Sequence, residues 1–484
     1  MEGTAAMSET TTTDLYEVTM ALSYLRERMT DSATFSCFVR ELPPDRGFLV
    51  CAGVESALNY LSRYRVGLDD ARAFAEALGR PVGDLMPLVG MRFTGTVRAV
   101  PEGRVVLAGE PLLEVTAPLP QAQLVETSVL NHLSHQTLVA SKCVRCVLAA
   151  RGHAVVDFSL RRTHGTAAGL QTARLAALTG FAGTSNVATA RALNFPAVGT
   201  MAHSYVEAFQ DEEAAFTAFA RCHPGPVTLL VDTYDTESGV ATAARVLRAL
   251  DRADGSAVRL DSGDLKELSL RARAVLDAAG LPQVRIVASG GLDEFAVHDL
   301  VSARAPIDVY AVGTRVGVSA DAPYLDTAYK LVEYAGRPVM KLSTAKATAP
   351  GRKQVFRRPG CVDVIGLADE EPPPGSVPLL RTAMRGGMRC TSPLPLEDAR
   401  RRLAAEVAQL PAAAREIRSP VPVRPSVSKP LARLTNRVRQ QIEREVFGPS
   451  SPSSPEQRVG TVRAGSGWSP SHGPNGPASG RLAP

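Results

Sequence analysis

The sequence predicts an α/β protein built around a (β/α) barrel, complete or irregular, with a doubly wound open sheet as the alternative. Three observations carry this. From residue 154 to 314, short apolar segments alternate with helical ones, the pattern of a parallel sheet. Most strand candidates end in a small or charged cluster, such as Arg259-Leu260-Asp261-Ser262-Gly263-Asp264 or Ser289-Gly290-Gly291. No G-x-G-x-x-G opens the run, which counts against a dinucleotide-binding sheet.

The elements follow in chain order. Residues 13–30 read as a helix, with Thr12 or Thr13 as cap and Leu15, Val18, Leu22 and Leu25 as apolar positions. Residues 33–41 are strand-like, and Pro43-Pro44-Asp45-Arg46-Gly47 is a turn. Residues 53–64 and 68–78 read as helices, and 93–115 as β-rich, so the N-terminal part is α+β. Residues 120–150 form one or two helices. Cys143 and Cys146 fall there as C-x-x-C; with no second pair nearby they read as buried thiols. The barrel strands are 154–158, a strand at Val198, 228–231, 258–260, 286–288 and 309–312. Helices fill the intervals at 166–179, 186–193, 204–221, 236–251, 264–280 and 292–303. A hairpin pairs 329–334 with 339–342 around Gly336, and a basic segment from Lys341 to Arg358 follows. Helices near 397–408 and at 429–447 come last. From 448 to 484 the chain is Pro, Ser and Gly with the lone Trp468, too poor in apolar groups to offset its ordering entropy, and is expected to be disordered.

Bulk properties narrow the function. At 484 residues, 45% hydrophobic and 21% charged, the chain has material for two or three domains. Its net charge of +5 sits mostly toward the C-terminus and gives little reason to expect nucleic acid. The polar start, with Glu2 and Glu9, lacks the charged and apolar stretches of a signal peptide, and no apolar run is long enough for a membrane span. Seven scattered cysteines fit a reducing cytoplasm.

The strand ends carry the chemistry. Ser289-Gly290-Gly291 and Gly313-Thr314 follow consecutive apolar strands, where backbone N–H groups can converge on an anion. Asp232, Asp235, Asp261 and Asp264 can accept from sugar hydroxyls or hold Mg²⁺ through water; each alone can equally cap the next helix. His203 follows Gly199-Thr200-Met201-Ala202 among only eight histidines, placed to act as acid, base or nucleophile, or as a structural hydrogen-bonder. Arg161 and Arg162 follow Phe158; one of them suits a substrate carboxylate, and the other reads as a surface residue. Together these groups are an inventory for gripping a phosphorylated sugar.

At these residues the chain resembles the nicotinate phosphoribosyltransferases. The matching stretches are Thr13-Asp14-Leu15-Tyr16-Glu17, Leu160-Arg161-Arg162, Gly183-Thr184-Ser185-Asn186, Gly199-Thr200-Met201-Ala202-His203-Ser204, Arg259-Leu260-Asp261-Ser262-Gly263-Asp264, and Lys346 with Gly351-Arg352-Lys353-Gln354-Val355. They occur in the family's order. The resemblance implies an irregular (β/α) barrel packed with an N-terminal α/β sandwich domain. The expected division is a flexible N-terminus at 1–12, sandwich at 13–130, barrel at 131–330, a segment completing the sandwich at 331–447, and the tail.

It further implies an ATP-coupled enzyme, classed as a ligase, that makes nicotinate mononucleotide and pyrophosphate from nicotinate and phosphoribosyl pyrophosphate in NAD biosynthesis. ATP is the co-substrate and Mg²⁺ accompanies the phosphates, with no protein-bound metal. By motif match, His203 is transiently phosphorylated, and the other catalytic residues, Asp232 and Asp261, fix the ribose and pyrophosphate together with Arg259. Phe158 and Tyr16 sandwich the pyridine ring, Tyr16 coming from a second subunit of a homodimer; Arg161 holds the carboxylate. Arg259, Ser289, Gly290, Gly291, Gly313 and Thr314 bind phosphoribose, with Arg40, Lys346 and Lys353 as phosphate-facing cations. Ser185 stands where the nicotinamide-using relative has an acid; a neutral donor there favours nicotinate. Asp157 and Ser159 replace the usual Glu and Gly around Phe158, and His164 a frequent Gln. A nicotinamide- or quinolinate-using transferase, or a non-enzymatic scaffold, are the rival readings.

Overall fold

The computed structural model describes residues 8–342 and 348–448. The tail with Trp468, expected to be disordered, lies outside these residues apart from Gly448. The described residues up to Val438 make up one compact unit.

A six-stranded parallel sheet occupies the middle of the chain. Its strands are β1 (Ala154–Asp157), β2 (Gly183–Thr184), β3 (Thr228–Leu230), β4 (Ala257–Leu260), β5 (Arg285–Ala288) and β6 (Val309–Val312). Their spatial order is β2-β1-β6-β5-β4-β3. The first strand therefore pairs with the last, Val309 opposite Ala154 and Val312 opposite Asp157. A doubly wound sheet does not produce that neighbour; a sheet curling round in chain order does. The curl stays open. The strand expected at Val198 is reduced to a single parallel bridge between Thr184 and Ala197. Beyond it, the Thr200 hydroxyl donates to the Thr228 carbonyl at 2.6 Å, spanning the gap to β3. β4 is buried at every position, as expected of a strand covered on both faces.

Helices Thr166–Thr179, Thr236–Ala249, Leu265–Ala278 and Glu294–Ser302 connect the strands close to their expected bounds. The expected helix 204–221 is two helices, His203–Glu207 and Glu212–Cys222. Asp211 makes the break: its side chain accepts from the Ala214 amide and starts a new helix.

Strands from both ends of the chain share a seven-stranded antiparallel sheet. Its order is Arg337–Pro338, Thr327–Tyr334, Ser32–Val39, Pro111–Pro118, Thr96–Ala99, Arg381–Arg385, Met388–Arg389. Two expected boundaries cut through elements. Position 130/131 falls inside the 25-residue helix Glu126–Ala150, and 330/331 inside Thr327–Tyr334. The second hairpin strand is Arg337–Pro338 rather than 339–342. Residues 8–12, expected to be flexible, form a turn in which buried Thr10 donates its hydroxyl to the Arg65 carbonyl at 3.0 Å. Cys143 and Cys146 are buried on the helix Glu126–Ala150, and burial pushes both thiols up in pKa. No helix among the described residues is long and apolar enough to cross a membrane.

Candidate active site

Strand register builds the site. Ala288 is opposite Leu260, and Val312 opposite Asp157. The residues that follow these strands, Phe158, Asp261, Ser289 and Gly313, therefore leave the sheet at one rim. Backbone bonds hold that arrangement: Ser289 N–H donates to the Leu260 carbonyl and Phe158 N–H to that of Val312, both at 2.8 Å. Phe158, Arg161, Arg162, Arg259, Asp261 and the two glycine turns line one cleft of about 100 Å³.

An ion-pair network fills the rim. Arg259 is nearly buried. Its Nε donates to Ser289 Oγ at 2.8 Å and its Nη2 to Asp261 Oδ1 at 2.6 Å. The Ser289 hydroxyl in turn donates to the same Asp261 oxygen. Burial alone would raise the Asp261 pKa; the Ser289 hydroxyl, Arg259 and His203 outweigh it and hold the carboxyl below its ordinary value. Asp261 is thus an anion at neutral pH. His203, first residue of its helix, places Nε2 3.9 Å from Asp261 Oδ2, while Nδ1 lies 3.2 Å from Thr233 Oγ1. Asp232 accepts from the Asp261 amide at 2.9 Å and the Ser262 hydroxyl at 2.6 Å through Oδ2; its buried Oδ1 has no partner among the described residues.

The other aspartates serve as caps. Asp235 and Asp264 each accept from backbone N–H groups at the start of the next helix. This sorts the four carboxylates, two to the site and two to the helices.

The glycine turns leave donors unspent. Among the described residues none accepts from the Gly290, Gly291 or Thr314 amides. Gly290 has φ +88°, and a Cβ there would lie 1.8 Å from the Asp261 carbonyl oxygen, so the turn can sit this close to Asp261 only with glycine. The chain after each turn is tied down by buried charge. Lys142 and Arg145 pair with Glu294, and Lys142 and Arg46 reach Asp321, each at 2.6 Å.

Phe158 lies under the Arg259 guanidinium, 5.5 Å from ring centre to Cζ. Asp157 is buried and structural: it accepts from the Ser159 amide at 2.9 Å and the Thr184 hydroxyl at 2.7 Å. Ser185 donates its amide to the Asp157 carbonyl at 2.8 Å, which sets it beside Phe158 at the end of β2. Ser159 is fully buried, and His164, Arg161 and Arg162 are exposed.

Three expected residues are not brought to the cleft by this chain. Tyr16 is 45% exposed on the helix Leu15–Arg26 and does not line it. Arg40 pairs with Asp326 at 2.6 Å. Lys353 faces inward: it is buried, and its ammonium donates to the Gly351 and Ala349 carbonyls at 2.8 and 3.1 Å beside Glu114. It is a structural ion, not a phosphate-facing cation. Lys346 lies outside the described residues. Thr233 is the residue that sequence reasoning missed; its signal was a hydroxyl next to Asp232 at a strand end. Among the described residues no three His, Cys, Asp or Glu side chains are placed to share a metal ion.

Comparison with known proteins adds to this geometry. Residues 11–134 match the nicotinate phosphoribosyltransferase N-terminal domain, and residues 153–358 the nicotinate phosphoribosyltransferase family. The chain is 47% identical over 436 residues to a nicotinate phosphoribosyltransferase (pncB2) of Mycobacterium tuberculosis, covering 87% of this chain and 93% of that protein. It is 40% identical over 354 residues to the nicotinate phosphoribosyltransferase of Bacillus subtilis, covering 71% and 72%. The crystal structure of human nicotinic acid phosphoribosyltransferase superposes with a TM-score of 0.77 at 28% identity, over 88% of this chain and 99% of that one.

Proposed function

Because this chain belongs to the nicotinate phosphoribosyltransferase family, we propose that it transfers phosphoribose from phosphoribosyl pyrophosphate to the ring nitrogen of nicotinate, a step of NAD biosynthesis. The observation that carries the reading is the convergence of one anchored carboxylate, one guanidinium and two turns with free amides on a single rim.

The residues divide the work. The Gly290, Gly291 and Thr314 amides take the 5′-phosphate. Asp261, fixed as an anion by Ser289 and Arg259, faces the ribose, where a positive oxocarbenium-like centre develops as the C1–O bond to pyrophosphate breaks and the C1–N bond forms. Phe158 supports the pyridine ring and Arg161 takes its carboxylate. Ser185, uncharged beside Phe158, does not repel that carboxylate. Tyr16 closes the other face of the ring from a second copy of the chain; its exposure on its own protomer supports this.

ATP enters through His203. With the Nδ1 proton donated to Thr233, Nε2 carries the lone pair that attacks the γ-phosphorus, forming N–P as P–O to ADP breaks. Hydrolysis of this phosphohistidine drives product formation. Mg²⁺ bound with the phosphates would neutralise their charge. The free Asp232 Oδ1 and the adjacent Asp261 fit it as acceptors for its bound waters.

Incubation with γ-labelled ATP tests the ATP step. Acid-labile label on the wild type and none on His203→Ala is expected, with basal product formation retained. Label persisting on the variant removes His203 from the role.

A further inference from the structure

A cavity of about 480 Å³, larger than the cleft, lies between the helices Val54–Arg63 and Leu396–Gln409 and the strand Arg381–Arg385. It shares no lining residue with the cleft. Its volume falls in the range of small-molecule sites, and its wall is mainly apolar, with Val54, Leu58 and Leu178 among its side chains.

Four arginines reach this space, and they differ in what they bind. Arg174 is satisfied by Glu102 at 2.7 Å and Gln136 at 2.6 Å. Arg389 is satisfied by Asn59 at 2.7 Å and by Glu55. Arg402 spends one donor on the Glu102 carbonyl at 2.6 Å, and its buried Nε has no partner among the described residues. No side-chain hydrogen bond or ion pair engages Arg381 among those residues.

The cavity's two carboxylates are already engaged. Glu102 caps the Gly53 and Glu55 amides while holding Arg174, and Glu55 holds Arg389. Burial lowers the Arg402 pKa, and Arg104 and Arg381 push the same way, with Glu406 opposing. Positive charge is therefore crowded at an apolar wall, with guanidinium donors open. That combination recognises an anion with an apolar body.

We propose that this cavity binds a small organic anion: a ring-sized apolar body bearing a carboxylate, sulfonate or phosphate gripped by Arg381 and Arg402. The site is separate from the cleft and does not depend on the reaction performed there.

Fluorescence titration of the full chain with 8-anilinonaphthalene-1-sulfonate tests this. Saturable binding of one probe per chain is expected. Loss of charge-assisted contacts in Arg381→Ala should weaken it at least about tenfold, and Arg161→Ala in the cleft should leave it unchanged. Leu394→Trp, which fills the cavity from a partly exposed lining position, should weaken it likewise and gives a second reading if Arg381→Ala misfolds. No saturable binding, binding unmoved by both cavity variants, or binding lost only in Arg161→Ala overturns the proposal.

Discussion

Gly290 and Gly291 offer a matched pair of substitutions. Both have left-handed backbone, φ +88° and +68°, so alanine at either costs roughly 1–2 kcal/mol in backbone strain. Only one of them meets an obstacle. A methyl on Gly290 would lie 1.8 Å from the Asp261 carbonyl oxygen, whereas one on Gly291 meets nothing within 4 Å. Since real Cβ contacts essentially never fall below 3.0 Å, Gly290→Ala must push the turn and the Asp261 backbone apart by more than about 1 Å, and overpacking of this kind adds roughly 1–3 kcal/mol. The expected loss of stability is about 2–5 kcal/mol for Gly290→Ala against about 1–2 for Gly291→Ala. The displacement moves Ser289 and the free amides away from Asp261, and misplacement by about 1 Å lowers kcat/KM for phosphoribosyl pyrophosphate on the order of a hundredfold. Gly291→Ala loses activity too, because its methyl enters the space meant for phosphate, but its stability falls only by the backbone strain of about 1–2 kcal/mol. Denaturant unfolding and kcat/KM on both variants check this. Equal stabilities, or a Gly290→Ala enzyme with unchanged kcat/KM, would refute the reasoning.

Two further outcomes are expected. Lys353→Met removes one of the two cations beside the buried Glu114 carboxylate, which keeps Arg98 at 3.3 Å and the backbone amide of residue 353; the loss costs roughly 1–3 kcal/mol, seen as a lower Tm, while KM for phosphoribosyl pyrophosphate stays within about twofold. A raised KM with unchanged Tm would return Lys353 to the phosphate site. The Asp261 carboxyl titrates below its unfolded value, so its contribution to stability is complete above the unfolded pKa of about 3.9 and disappears as pH falls through the lower folded pKa. Asp261→Asn should therefore lower Tm at about pH 8, with the gap narrowing as pH falls below about pH 4. A gap as large at about pH 2 as at about pH 8 would contradict a depressed Asp261 carboxyl.

The sequence carried much of this arrangement because local physics dictated it. Helices Leu68–Leu78, Thr166–Thr179 and Lys429–Phe447 end where their periodicity and flanking residues end them. The glycine turns and Asp261 were legible because small and charged residues interrupt apolar strands there. What stayed hidden depends on tertiary contact. Gly183–Thr184 is too short to show a strand period, and it pairs only because Asp157 lies across from it. Lys353 reads as a surface cation until the fold surrounds it with Gly351, Ala349 and Glu114. The Asp211 break was readable, since Asp211 before Glu212 and Glu213 is a helix start, but the longer apolar pattern masked it. The Ser289 hydroxyl, counted in the sequence only as part of a turn, proves to join Arg259 to Asp261.

The most direct test is product formation from nicotinate and phosphoribosyl pyrophosphate by the full chain, with and without ATP, against nicotinamide as competitor. The proposed account predicts nicotinate mononucleotide in both conditions, more of it with ATP, and no diversion by nicotinamide. Nicotinamide mononucleotide as the main product, or no nucleotide at all, would contradict it.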